Sequence, residues 1–273
     1  IHSAASTTKP GDVSIATGVA GSSDSGSIML TTGASNGTKS GDVKIKVGPS
    51  TTGLAGDVSI AAGTGNEGGS VFISTGVSGS ETKTGALSLA GEQVSVMTFD
   101  SSAGSGSVSV GSGSSQLSAS GNTVISTGDS SSGRAGDVTV SPGSSTANAG
   151  ASVLIHGGDV SSSDALTKGG AVYMKSGSGS SGGDMLMFGG EGQTGSGGNI
   201  HIAGGAGSAG SGTGGSVLVE GGFSKSSLQG GQVSVQGGMS AEASGGDVII
   251  AGGTSVSGAS GSVFVSSQSP VQD

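Results

Sequence analysis

A pair of apolar residues two positions apart, led in by glycine, recurs eighteen times along this chain. The first copy is Gly11-Asp12-Val13-Ser14-Ile15 and the last is Gly261-Ser262-Val263-Phe264-Val265; most copies stand 15 residues apart. Self-similarity at a short fixed period is the mark of a stacked-repeat architecture, because one short unit cannot bury its apolar face alone. Apolar–small–apolar is a period-2 pattern, so each repeat predicts one short extended segment with one apolar face. No 3.6-residue periodicity appears and glycine interrupts every window, which excludes helix.

Composition tests that reading. Glycine supplies 61 of 273 residues, and serine is similarly abundant. A chain so poor in large side chains loses much entropy on ordering and often remains a disordered linker. The register argues for order: Val, Ile, Leu and Met fall in the same two columns of successive repeats, which a linker has no reason to maintain. Glycine before the pair and again after it bounds each segment, and positive φ at these glycines is the expected device for turning the corners.

The residue between the two apolar positions points the opposite way. In the later repeats it reads Leu154, Tyr173, Leu186, His201, Leu218, Ser234, Ile249 and Phe264. Every second entry is a branched aliphatic, and Phe72 and Val124 continue that parity toward the N-terminus. An alternation over two repeats predicts two repeats per turn of a coil. The expected fold is therefore all-β: a parallel, β-helix-like solenoid of two facing sheets, with about 30 residues per coil across a thin Val/Ile core.

The chain divides on this reading into N-terminal coils over 1–84, an irregular seam over 85–104 and C-terminal coils over 105–273, all in one continuous solenoid. The seam is where the rhythm breaks. Leu87 and Val94 are only seven residues apart, Leu87 to Val96 reads as a tight hairpin, and Met97-Thr98-Phe99-Asp100 has no equivalent elsewhere. Segment ends also differ along the chain. Early ones close on Thr-Gly (17–18, 32–33, 75–76), later ones on Gly-Gly (157–158, 189–190, 204–205, 221–222, 237–238, 252–253).

Few residues suggest chemistry. Asp or Asn follows the leading glycine at Asp12, Asp42, Asp57, Asn122, Asp137, Asp184, Asn199 and Asp247. A calcium ladder is one reading, since carboxylates suit a hard cation. Turn chemistry, with Asp and Asn satisfying their own backbone, is the favoured one, because Ser, Ala and Gln replace Asp freely. No metal site and no cofactor is expected. Thr17, Thr32, Thr75 and Thr127 recur at segment ends, but ordinary β-propensity explains them better than an ice-ordering array. His2, His156 and His201 lie far apart, and no catalytic constellation of acid, histidine and nucleophile recurs, so no enzyme is expected. Cysteine is absent. The net charge of −9 is thinly spread and no basic stripe offers a nucleic-acid groove. No apolar run is long enough to span a membrane. Asn36-Gly37-Thr38 fits an N-glycosylation acceptor, so glycans are a possible partner at Asn36.

The stripe of Phe72, Val124, Leu154, Leu186, Leu218 and Ile249 is the candidate interface. It is either covered by the chain's own loops or exposed for a neighbouring molecule, and Gly/Ser loops cover apolar surface poorly. The repeats Gly-Asp-Val-Ser-Ile-Ala-Thr-Gly (11–18), Gly-Asp-Val-Ser-Ile-Ala-Ala-Gly (56–63) and Gly-Asp-Val-Ile-Ile-Ala-Gly-Gly (246–253) resemble the Gly/Ser-rich tandem repeats of secreted and cell-surface proteins of microalgae and related protists. That resemblance implies extracellular, structural or adhesive material and no catalytic residues. The expected function is a structural subunit of an extracellular fibre or cell-surface layer. It would assemble with itself head to tail through open β-edges, since neither Ile1–Pro10 nor Gln268–Asp273 reads as a cap, and sideways through the stripe. The alternative is a surface-binding module for ice or polysaccharide on a flat solenoid face.

Overall fold

The computed structural model describes Ser3 and residues 11–77, 84–102, 104–147, 149–162, 167–208 and 212–267. The terminal segments Ile1–Pro10 and Gln268–Asp273, with the exception of Ser3, lie outside the described residues, and so does His2. The chain forms two units, Ile1–Ser126 and Thr127–Asp273.

Neither helix nor strand occurs among the described residues. The absence of helix agrees with the missing 3.6-residue period. The all-β solenoid does not form: the described residues contain no sheet, no pair of facing walls and no 30-residue coil. The finding that overturns it is burial. No described residue is buried, and among the described residues only Gly157, Ser176, Ser224, Gly237 and Gly252 fall short of being exposed. The Val and Ile columns therefore remain in water instead of zipping into a core.

The hydrogen bonds give the physical reason. A solenoid satisfies its backbone by continuous pairing between coils; here the backbone–backbone bonds among the described residues are single contacts, each joining the end of one repeat to the leading glycine of the next. Nine backbone–backbone bonds join described glycines, among them Gly170 N–H to the Gly158 carbonyl at 2.8 Å, Gly183 to Gly177 at 3.0 Å and Gly246 to Gly238 at 2.9 Å. In all nine, the acceptor is the fifth residue after a leading apolar residue and the donor is the second residue before the next one. The bond is a neck that brings together the two ends of the intervening loop. The two bonded glycines stand from six positions (Gly63 and Gly69) to twelve positions (Gly158 and Gly170) apart along the chain. All variation in repeat length at these nine sites therefore lies in the loop, and the segment between necks stays constant.

The change from Thr-Gly to Gly-Gly endings now has a structural meaning. The residue four after the leading position faces the donor glycine across the neck. In the first unit it carries a side chain: a Cβ on Gly26 would meet Thr17 Cγ2 at 3.4 Å, and one on Gly56 would meet Val47 Cγ1 at 3.2 Å. The Thr32 hydroxyl donates across the same gap to the Gly41 carbonyl at 3.2 Å. In the second unit that residue is glycine in six repeats, and backbone meets backbone. A Cβ on Gly157, Gly189, Gly204, Gly221, Gly237 or Gly252 would be driven into the carbonyl oxygen of the opposing glycine. These glycines are required for close approach. The expected positive φ is confined, among described glycines, to Gly104 at 133°.

Loop tips repeat as faithfully. Seven residues after the leading position stands a serine whose hydroxyl accepts from a backbone N–H two or three residues on. Gly53 donates to Ser50 at 3.1 Å, Gly133 to Ser130 at 3.1 Å, Ala243 to Ser240 at 2.9 Å and Gly258 to Ser255 at 2.8 Å. Ser35, Ser115, Ser145 and Ser224 act in the same way. Where the two glycines of the neck stand six positions apart, the serine is replaced by Gly65 or Gly179, at which a Cβ would meet backbone oxygen at 3.0 or 3.1 Å. At these places the tip is braced by a hydroxyl, or closed around a glycine where a side chain would press on backbone oxygen.

Candidate functional site

The repeating segments present three columns of side chains at different heights. The apolar leading residues retain between 47 % and 60 % of their exposure, with Val263 and Ile28 at the two limits. The partner residues are more open, and the residues between are commonly the most open: across Val153, Leu154 and Ile155 the exposures are 50 %, 71 % and 69 %. The strict alternation expected of a strand is absent, since the partner residue is nearly as open as the residue between.

All six residues of the expected stripe, Phe72, Val124, Leu154, Leu186, Leu218 and Ile249, are exposed, and no loop covers any of them. Phe72 and Val124 belong to the first unit and the other four to the second. Each stands on its own segment, between a less exposed leading residue and a partner residue, as Phe72 does at 92 % between Val71 at 50 % and Ile73 at 64 %.

The polar candidates are simpler. Asp42 accepts from two cations of its own repeat, Lys39 at 3.1 Å and Lys44 at 3.4 Å. Arg134 meets Asp137 at 2.6 Å. Exposed pairs of this kind contribute about 0–1 kcal/mol. The turn-bracing role expected of the aspartates belongs instead to the serine column, whose oxygen sits at the loop tip where the N–H groups emerge. His156 and His201 are exposed, and among the described residues no three of His, Asp and Glu lie close enough to hold a metal ion. Asn36 is exposed at the start of a loop bend, next to Gly37, whose N–H is held by Ser35 Oγ at 3.0 Å.

One feature of the site had no signal in the repeat pattern. Phe99, in the seam, lines a groove of about 520 Å³ with Ile60, Ala61, Ala62 and Val71, at the neck between Gly63 and Gly69. The isolated phenylalanine in an aromatic-poor chain was the available clue, but its partner repeat lies well back in the sequence. Between Leu87 and Val96, the segment expected to be a hairpin, the chain bends at Gly91-Glu92.

Comparison with family models, with curated proteins and with solved structures finds no match to this chain. No helix among the described residues is long and apolar enough to cross a membrane.

Proposed function

We propose that this chain is a non-enzymatic structural subunit of an extracellular fibre or cell-surface layer, and that it assembles with copies of itself by covering its apolar columns. One observation carries the reading: apolar residues held in register over both units stay open to water. The chain exposes 26996 Å². Two separate compact bodies sharing its mass would expose only roughly 12,000 Å². Exposed apolar surface on this scale marks an interaction face. Covering the remaining half of a Val, Leu or Ile side chain contributes about 1 kcal/mol, and the columns offer this in repeat after repeat.

A second copy is the occupant that fits best, because it carries the same column spacing. The open strand edges first expected to drive head-to-tail growth are not part of this proposal, since no described segment is a strand. The ice or polysaccharide alternative required a flat solenoid face and falls with the solenoid. The resemblance to Gly/Ser-rich repeats of microalgal surface proteins supports the extracellular setting, and Asn36 offers a glycan acceptor there.

The test is the double substitution Leu186→Asp and Leu218→Asp. Losing two leucines that are 71 % and 77 % exposed in the single chain removes about 2–4 kcal/mol and weakens association at least about thirty-fold. Light scattering and electron microscopy read the result. Particles of unchanged size in the variant would refute the interface.

A further inference from the structure

Methionine is unevenly placed in the columns. Among the eighteen pairs it occupies only Met174, Met185 and Met187, all within two consecutive repeats of the second unit. Met185 is a leading residue; Met174 and Met187 are partners. Their exposures are 66 %, 49 % and 57 %, so all three thioethers are open to small reagents in solution. The flanking Tyr173, Leu186 and Phe188 are open as well, which makes this the part of the columns richest in large apolar side chains. Neighbouring repeats carry Val and Ile in the same places, so the pattern itself does not demand sulfur.

We propose that Met174, Met185 and Met187 form an oxidation site that sets whether the apolar columns of this chain cover one another. The inference rests on the self-assembly reading and names its regulation. A hydroperoxide transfers one oxygen to the thioether sulfur: an S–O bond forms, the O–O bond breaks, sulfur loses two electrons and water or an alcohol departs. The sulfoxide is polar and chiral where the thioether was flexible and apolar. Three sulfoxides in adjacent repeats place strong acceptors inside the face that a second copy would cover, and covering them without donors is costly. Reduction by methionine sulfoxide reductases restores the thioether, so the site is reversible.

The experiment treats the natural chain with hydrogen peroxide, maps about 16 Da of added mass onto each methionine-containing peptide and follows assembly by light scattering. Oxidation should raise the concentration needed for assembly at least about ten-fold, and treatment with the two reductases should return it to its starting value. The triple variant Met174→Leu, Met185→Leu, Met187→Leu preserves side-chain volume and should assemble like the natural chain. It should also keep assembling after peroxide, even though Met29, Met97 and Met239 still oxidise. In particles formed beforehand, the three methionines should oxidise more slowly than in the free chain. An oxidised natural chain that assembles at an unchanged concentration overturns the proposal. Equal sensitivity of the triple variant to peroxide overturns it too, by moving the effect to other residues. A natural chain that stays single before any peroxide is added overturns the assembly reading itself, and this inference with it.

Discussion

Replacing Gly237 with alanine should open one neck and leave its neighbours closed. The new methyl would be driven into the Gly246 carbonyl oxygen, and the obstruction is backbone, which cannot rotate away. Restoring ordinary van der Waals separation requires the two sides of the neck to part by about an ångström. The Gly246 N–H to Gly238 carbonyl bond, 2.9 Å long, then exceeds hydrogen-bonding range. Loss of one such bond costs about 1 kcal/mol, roughly a five-fold change in an equilibrium. The assay is amide hydrogen exchange at Gly246, which should quicken about five-fold while Gly231 and Gly261 keep their rates. Gly26→Ala is the matched control. Its methyl would only touch Thr17 Cγ2 at 3.4 Å, an ordinary contact. Reduced freedom of the unfolded chain should make that control neutral or stabilising by about 0.4–1 kcal/mol. If Gly237→Ala leaves exchange at Gly246 unchanged, or if the control is as disruptive, the claim that glycine serves close approach at the later necks is refuted.

Two further outcomes follow from the same geometry. Inserting three residues between Ser240 and Glu242 should leave the Gly246 amide as protected as before, because loop length is absorbed beyond the neck; the entropic cost of the longer loop is only about 0.3 kcal/mol. Loss of protection at Gly246 in that insertion variant would show that neck and loop are not independent. Secretion from a host that adds N-linked glycan should yield a heavier chain, reduced to the polypeptide mass by Asn36→Gln; identical masses for the two chains would remove Asn36 as an acceptor.

Much of the local architecture was legible in the residues. Glycine five places after the leading residue and two before the next is a fixed feature of most repeats, and it became the neck. Serine seven places on is visible in the same way, but its role as a hydroxyl brace needs the turn to be seen. The exclusion of helix needed only the glycine spacing. The step from repeat to solenoid failed for a specific reason. A period-2 apolar pattern states which side chains share a face, but not what lies opposite that face. The alternation of Leu154, Leu186, Leu218 and Ile249 suggested two repeats per coil, yet nothing in it obliges one repeat to bond to the next. The groove that Phe99 lines with Ile60 and Val71 was invisible for the same reason, since proximity of distant segments leaves no periodic trace.

The order of residues alone determined the spacing of the columns, the places where backbone can approach backbone and the sites where loops can grow, because each depends on side-chain size within one repeat. Tertiary structure decided where the hydrogen bonds go and what remains wet. Single necks join the end of one repeat to the leading glycine of the next, the Val and Ile columns among the described residues stay exposed, and those columns are what the proposed assembly would cover.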